Sequence, residues 1–358
     1  MNIENLFSGG KQVVGLDIGS SSLKLAEILE TPKGNLLNHF SLIPLGRGVI
    51  VDGAVVEQEQ LTEKIKELFK HSGCKRKRIV ASLPGHSVII KKVSFPAMDE
   101  VELRDLIADE AGKYLPFDSK EEVNFDFQTL GENEFNPNQL DVLLVAAKKD
   151  IIAGYTGAVK NAGLSVVIMD VDSFALETMY EENYDYKEDD VDVLVNIGAS
   201  ITNINVVKNG TSILTRDFPL GGNTITEAIA EKLGMTFEEA EKIKIEGIEG
   251  DEPAKNEFRE SILTYADPLC SEIERSIDYF RSTSRGEYIK HILLSGGSAK
   301  ILGITDDLSK RLNIETEVIN PFKKIAFNGK TMDSDSLESI APLAAVVVGL
   351  ALRREGDK

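Results

Sequence analysis

The chain has 358 residues, of which 42% are hydrophobic and none is Trp, and it carries a formal charge of −19. That length predicts two or three units of about 150 residues, each with its own core. The acidity excludes nucleic acid and direct adhesion to anionic lipid, since both need a concentrated basic face.

Residues 1–12 lack the basic start and long apolar stretch of a secretory leader, so none is expected. Apolar alternation and β-branched runs predict strands at 13–18, 23–28, 36–44, 79–83 and 88–94. Between them, Leu61, Ile65 and Leu68 share one helical face, as do Leu103, Leu106, Ile107 and Tyr114. The basic run 75–78 falls between a helical and a strand pattern and reads as a solvated turn. Strands at 142–147 and 166–170 then alternate with helices near 155–162 and 173–182, a mixed α/β order. The acidic stretch 184–190 reads as a link between two halves. Three further strand patterns follow, with a tight hairpin at Asn209-Gly210. The longest apolar run, 341–352, is too short to span a bilayer and reads as a buried helix. Cys74 and Cys270 have no CxxC spacing and no nearby His pair, which predicts a reducing compartment and no structural zinc.

The two halves repeat. In "VVGLDIGSSSLKLAEI" (13–28) and "DVLVNIGASITNINVV" (192–207), the pairs Asp17/Asn196, Gly19/Gly198 and Ser21/Ser200 each stand 179 residues apart. A duplicated α/β unit explains identity and hairpin context recurring together. Gly19 lets an anion approach the backbone, the serines offer N–H and hydroxyl donors, and Lys24 offers a positive charge. Asp17, at a strand end, is placed to hold a hydrated Mg²⁺. One such hairpin is equally well a plain turn; two that face each other make a phosphate clamp, with 196–202 as the second jaw. A third Gly-rich stretch, "HILLSGGSAKILGI" (291–304), predicts a strand that stops at Gly296-Gly297 and enters a helix, where backbone can approach a ring or ribose; an ordinary strand-to-helix turn fits as well. Between these, Gly221-Gly222 precede Asn223 and Thr224, either of which can cap the next helix, and "TFEE" (236–239) has capping-box spacing. Glu241 and Lys244, one turn apart, read first as a solvated ion pair.

This order of motifs resembles the superfamily of actin, sugar kinases and DnaK-type ATPases. The stretches 6–28, "EAGKYLPFD" (110–118), "VIMDVDSFALE" (167–177) and "PLGGNTIT" (219–226) resemble the type IV pilus assembly PilM family, related to the cell-division protein FtsA. The resemblance implies an α/β, actin-like ATPase fold of two duplicated ribonuclease-H-like domains with inserted subdomains. Subdomain IA would hold residues 1–85 and 150–188, IC 86–149, IIA 189–221 and 286–358, and IIB 222–285. It also implies ATP and Mg²⁺ in the interlobe cleft. Asp17 would hold the water shell of Mg²⁺, and Gly19, Ser20, Ser21 and Lys24 would meet phosphates. Gly198, Ala199 and Ser200, with Asn196 behind them, would form the other jaw. Gly222, Glu241, Lys244, Gly296, Gly297 and Ser298 would surround the nucleoside, and Asp170 or Asp172 would orient the attacking water. Many relatives carry Asp where this chain has Asn196, so firm binding with slow turnover is expected.

The implied role is a cytoplasmic scaffold that binds the N-terminal tail of PilN between IA and IC, meets the membrane only through it, and couples to the pilus motor ATPases and to further copies of itself. The alternatives are an FtsA-like polymerising ATPase, against which the short charged end "RREGDK" (353–358) speaks, a small-molecule kinase, and a DnaK-type chaperone, for whose peptide domain no residues remain.

Overall fold

The computed structural model describes residues 12–114, 122–133, 135–284, 286–327 and 334–354. Residues 6–11 and 115–118 of the motifs quoted above, and 355–358 of the charged end, lie outside the described residues.

The first sheet is built on the hairpins β1 (Val14–Ile18), β2 (Ser22–Thr31) and β3 (Gly34–Pro44). After a short hairpin, β4 (Ile50–Val51) and β5 (Ala54–Val55), helix α1 (Gln58–Ser72) lays Leu61, Ile65 and Leu68 on the sheet. The chain returns through β6 (Arg78–Leu83), parallel to β1. A separate three-stranded sheet follows, of β7 (Val88–Pro96), β8 (Val123–Asn133) and β9 (Asn136–Lys148), in the order β7-β9-β8. Its core of Phe95, Phe127, Val142 and Leu144 is closed by Leu103 and Ile107 of α2 (Glu100–Tyr114). Strand β8 was not expected from the sequence. Helix α3 (Lys149–Asn161) leads back to β10 (Ser165–Val171), which extends the first sheet beside β6, and α4 (Asp172–Asn183) follows.

The second sheet repeats this plan. Strands β11 (Val191–Ile197), β12 (Thr202–Lys208) and β13 (Thr211–Phe218) form antiparallel hairpins, the second turning through Asn209 and Gly210 at φ 53° and 79°. Both residues are left-handed, as a two-residue hairpin requires. Helices α5 (Gly222–Leu233), α6 (Phe237–Glu246) and α7 (Glu252–Thr283) precede β14 (Ile289–Ser295), α8 (Ile304–Leu312) and β15 (Glu315–Val318). The order β13-β12-β11-β14-β15 matches β3-β2-β1-β6-β10, with the same parallel and antiparallel senses. The 32-residue α7 was not foreseen either; Ile262, Ala266, Leu269, Ile273, Ile277 and Phe280 make its buried stripe.

The last segment does not stay with the second sheet. Strand β16 (Ala326–Phe327) pairs with β3, and α9 (Ser334–Leu352) lies on β1 and α4. A Cβ at Gly15 would stand 2.5 Å from the Val347 carbonyl oxygen, and one at Gly349 1.7 Å from that of Ala175. Only glycine admits so close an approach. The apolar run at 341–352 is thus a helix wedged between the lobes. Among the described residues, no helix is long and apolar enough to cross a membrane.

Candidate functional site

Both repeated hairpins turn in the same way. The Gly19 N–H donates to Ser22 O at 3.1 Å, and the Gly198 N–H donates to Ile201 O at 2.9 Å. Each turn projects one serine towards the other lobe, and Ser20 Oγ and Ser200 Oγ lie 3.0 Å apart. A phosphate oxygen at that point can accept from both hydroxyls and from the backbone around them.

Behind the first turn, Asp17 and Lys24 face each other across β1 and β2, with Lys24 Nζ 2.9 Å from Asp17 Oδ2 and both residues buried. Behind the second, the Asn196 amide donates to Asn203 Oδ1 at 3.2 Å, and Ser295 Oγ donates to Asn196 Oδ1. The next strand brings Asp217 opposite Asn203, whose amide donates to its carboxylate. Asp217 was not singled out in the sequence; only the register of β12 and β13 delivers it to the cleft. Its carboxylate lies against Gly85, where a Cβ would stand 2.2 Å from Asp217 Oδ2. Burial pushes the Asp217 carboxyl upward, partly offset by the Asn203 hydrogen bond.

Asp170 and Asp172, interchangeable in the sequence, part company. Asp170 is held by Arg353 in a two-pronged pair, Nε to Oδ2 at 2.6 Å and Nη2 to Oδ1 at 3.2 Å, which ties β10 to the end of α9. Asp172 opens α4 and accepts from Ser82 Oγ at 2.5 Å. Its carboxyl is pushed up chiefly by desolvation, then by the Asp17 and Asp217 carboxylates.

The Glu241–Lys244 pair differs from the solvated bridge expected of it. Lys244 is 1% exposed and donates to Glu241 Oε2 at 2.6 Å, Thr226 Oγ1 at 2.8 Å and Gly222 O at 3.1 Å. Burial lowers its pKa, with Glu241 opposing. Neither Asn223 nor Thr224 caps α5. The cap position is Gly221, where a Cβ would lie 2.7 Å from the carbonyl oxygens of Gly198 and Ala199. The N–H groups of Gly222 and Asn223 donate instead to those same oxygens. The capping box at Thr236 and Glu239 is formed. Gly296 has φ 85°, donates its N–H to Pro342 O at 2.7 Å, and leads into a 3₁₀ turn (Gly297–Lys300) rather than directly into a helix. Ser298 Oγ donates to Gly198 O at 3.3 Å, so three Gly-rich segments meet at the second jaw.

Among the described residues, no group of three or more His, Cys, Asp or Glu side chains is arranged to grip a metal directly. With the Asp17 and Asp172 carboxylates near the first jaw in place of such a group, a Mg²⁺ there would have to keep most of its waters.

A family described as "Type IV pilus assembly protein PilM" matches residues 15–355. The chain belongs to this PilM family. A solved PilM-PilN type IV pilus biogenesis complex is similar over 97% of this chain and 99% of its counterpart, with 29% identity and a TM-score of 0.85. The ethanolamine utilization protein EutJ from Carboxydothermus hydrogenoformans shares 17% identity over 95% of this chain and 88% of its own, with a TM-score of 0.57. MreB 5 of Spiroplasma citri, bound to AMPPNP, shares 13% over 94% of each chain with a TM-score of 0.50. The cell division protein FtsA of Bacillus subtilis is 22% identical over 260 residues, 64% of this chain and 57% of FtsA. The fold is therefore the actin-like α/β fold that the resemblance implied.

Proposed function

We propose that this PilM-family protein is a nucleotide-binding scaffold of the type IV pilus machine. The observation that carries the nucleotide part is the 3.0 Å approach of Ser20 and Ser200, tips of equivalent hairpins on opposite lobes. Gly19, Ser20, Ser21 and Lys24 hold the phosphates of ATP from one side, and Gly198, Ala199 and Ser200 from the other. Gly222, Glu241, Lys244, Gly296, Gly297 and Ser298 border the nucleoside, with Lys244 acting largely as a buried strut for Gly222. A bound Mg²⁺ would supply charge neutralisation at the phosphates. Asp17 would hold that ion through its waters, and Asp172 rather than Asp170 faces the reacting end, because Arg353 occupies Asp170. Asn196 carries no charge, and hydrolysis is slow.

Residues 86–149, with the sheet β7-β9-β8, are taken as IC and 222–285, with α5 to α7, as IIB; β16 and α9, which pack on β3 and β1, are assigned to IA in place of IIA. The chain acts in the cytoplasm and reaches the inner membrane through a partner. That partner is PilN, a choice the similarity to a solved PilM-PilN complex supports; we place its N-terminal tail between IA and IC. The scaffold then meets the pilus motor ATPases. The test is fluorescence anisotropy of a labelled PilN tail peptide with the purified protein, with and without Mg-ATP. Saturable binding that changes with nucleotide supports the reading, and no binding in either condition overturns it. The FtsA likeness favours a second reading, a polymerising ATPase, which filaments with Mg-ATP in negative-stain microscopy would support.

A further inference from the structure

The lobes meet differently on the two flanks of the cleft. On one, Ala26 and Leu37 of the first sheet share a buried apolar cluster with Leu194, Val207 and Leu293 of the second, with residues of α4 and α9 among them. On the other, the loop between β3 and β4 reaches from the first lobe to the second. This loop leaves β3 at Leu45, whose N–H donates to Ser21 O at 2.9 Å, so it hangs from the first phosphate hairpin. Gly46 and Gly48 flank Arg47, and Gly48 has φ 84°, a left-handed turn that favours glycine. The Arg47 guanidinium pairs with Glu227 of α5 and lies 4.2 Å over the ring of Phe237 on α6.

Those two partners sit beside the residues that border the nucleoside. Glu227 follows Thr226, which bonds to Lys244 and Glu241, and Phe237 lies one helical turn before Glu241. Arg47 therefore bridges α5 and α6 of the second lobe from an arm anchored on the phosphate hairpin of the first. Its side chain is 57% exposed and that of Glu227 55%. An ion pair and a cation–π contact so open to water are individually weak and break readily. That is the character of a latch, in contrast to the buried apolar join opposite.

We propose that Arg47 is a positioning residue that retains the bound nucleotide, clasping the cleft shut and releasing it when the lobes part on this flank. The proposal rests on the nucleotide reading above. It is tested on the full chain loaded with mant-ATP and Mg²⁺ and chased with excess ATP in a stopped-flow fluorimeter. Arg47→Ala is expected to speed dissociation about tenfold while leaving the association rate and the thermal midpoint of the nucleotide-free protein unchanged. Arg47→Lys, which keeps the charge but loses the planar stack, falls between. The exchange Arg47→Glu with Glu227→Arg recovers part of the loss. Wild-type dissociation rates in Arg47→Ala overturn the clasp while leaving nucleotide binding intact. A wild-type protein that takes up no mant-ATP overturns the nucleotide reading itself, and the clasp with it.

Discussion

The two jaws share a backbone and differ in charge. Asp17 and Lys24 on β1 and β2 correspond, 179 residues on, to Asn196 and Asn203 on β11 and β12. One jaw thus rests on a buried ion pair and the other on a pair of neutral amides. In the first, strand β3 places Leu42 beside Lys24; in the second, β13 places Asp217 beside Asn203. Duplication has kept the turn, while the second lobe's carboxylate stands on β13 rather than on β11, the counterpart of β1. The buried ion pair thus stands behind the first jaw and the neutral amide pair behind the second.

The largest test of this difference removes the cation. Lys24→Met leaves the Asp17 carboxylate buried and unpaired, and should lower stability by about 3–5 kcal/mol in urea denaturation. Asn203→Ala, which strips a neutral partner from Asn196 and Asp217, should lower it by about 1–3 kcal/mol. Pairing Lys24→Met with Asp17→Asn should recover most of the larger loss. Equal effects of the two single substitutions would break the comparison.

A smaller effect concerns the turns themselves. An added Cβ at Gly198 would stand 2.8 Å from Ile201 O, against 3.2 Å from Ser22 O at Gly19. Gly198→Ala should therefore destabilise by about 1–3 kcal/mol and Gly19→Ala by less, since the first turn has more room to yield. Thermal melts of the two variants rank them.

The charge asymmetry also has a pH signature. Asp172 has its carboxyl raised by desolvation first and then by Asp17, so its contribution is fully present below the ordinary Asp value of about 4 and is lost as pH rises through the raised one. Asp172→Asn should remove that decline and gain of order 1–2 kcal/mol over wild type at pH 7 relative to pH 4. Asp17→Asn should flatten the same slope in part, whereas Asn196→Ala should leave it unchanged. Denaturation midpoints measured from pH 4 to 8 compare the three.

Much of this was legible in the chain. Period-two alternation marks β1, β2, β11 and β12, and the 179-residue repeat pairs the jaws before any coordinates do. What escaped depends on contacts distant in sequence. Asp217 becomes a cleft residue through the register of β13, and Asp170 is withdrawn by Arg353, 183 residues away. Lys244 has the spacing of a surface pair, and only the close packing of Gly222 and Thr226 buries it. Helix α7 hides its apolar stripe among charged residues and carries Pro268 in its interior, and β8 keeps its apolar alternation only at Val123, Phe125 and Phe127 before turning polar and exposed.

The joint grip of the two jaws on one triphosphate is tested most directly by a double-mutant cycle in nucleotide affinity. Mg²⁺ and mant-AMPPNP are titrated into wild type, Ser20→Ala, Ser200→Ala and the double variant. Each single substitution should weaken binding by about 0.5–1.5 kcal/mol, and the double by less than their sum, because both hydroxyls serve the same phosphate. Unchanged affinity in both single variants, or no saturable binding to wild type, would contradict it.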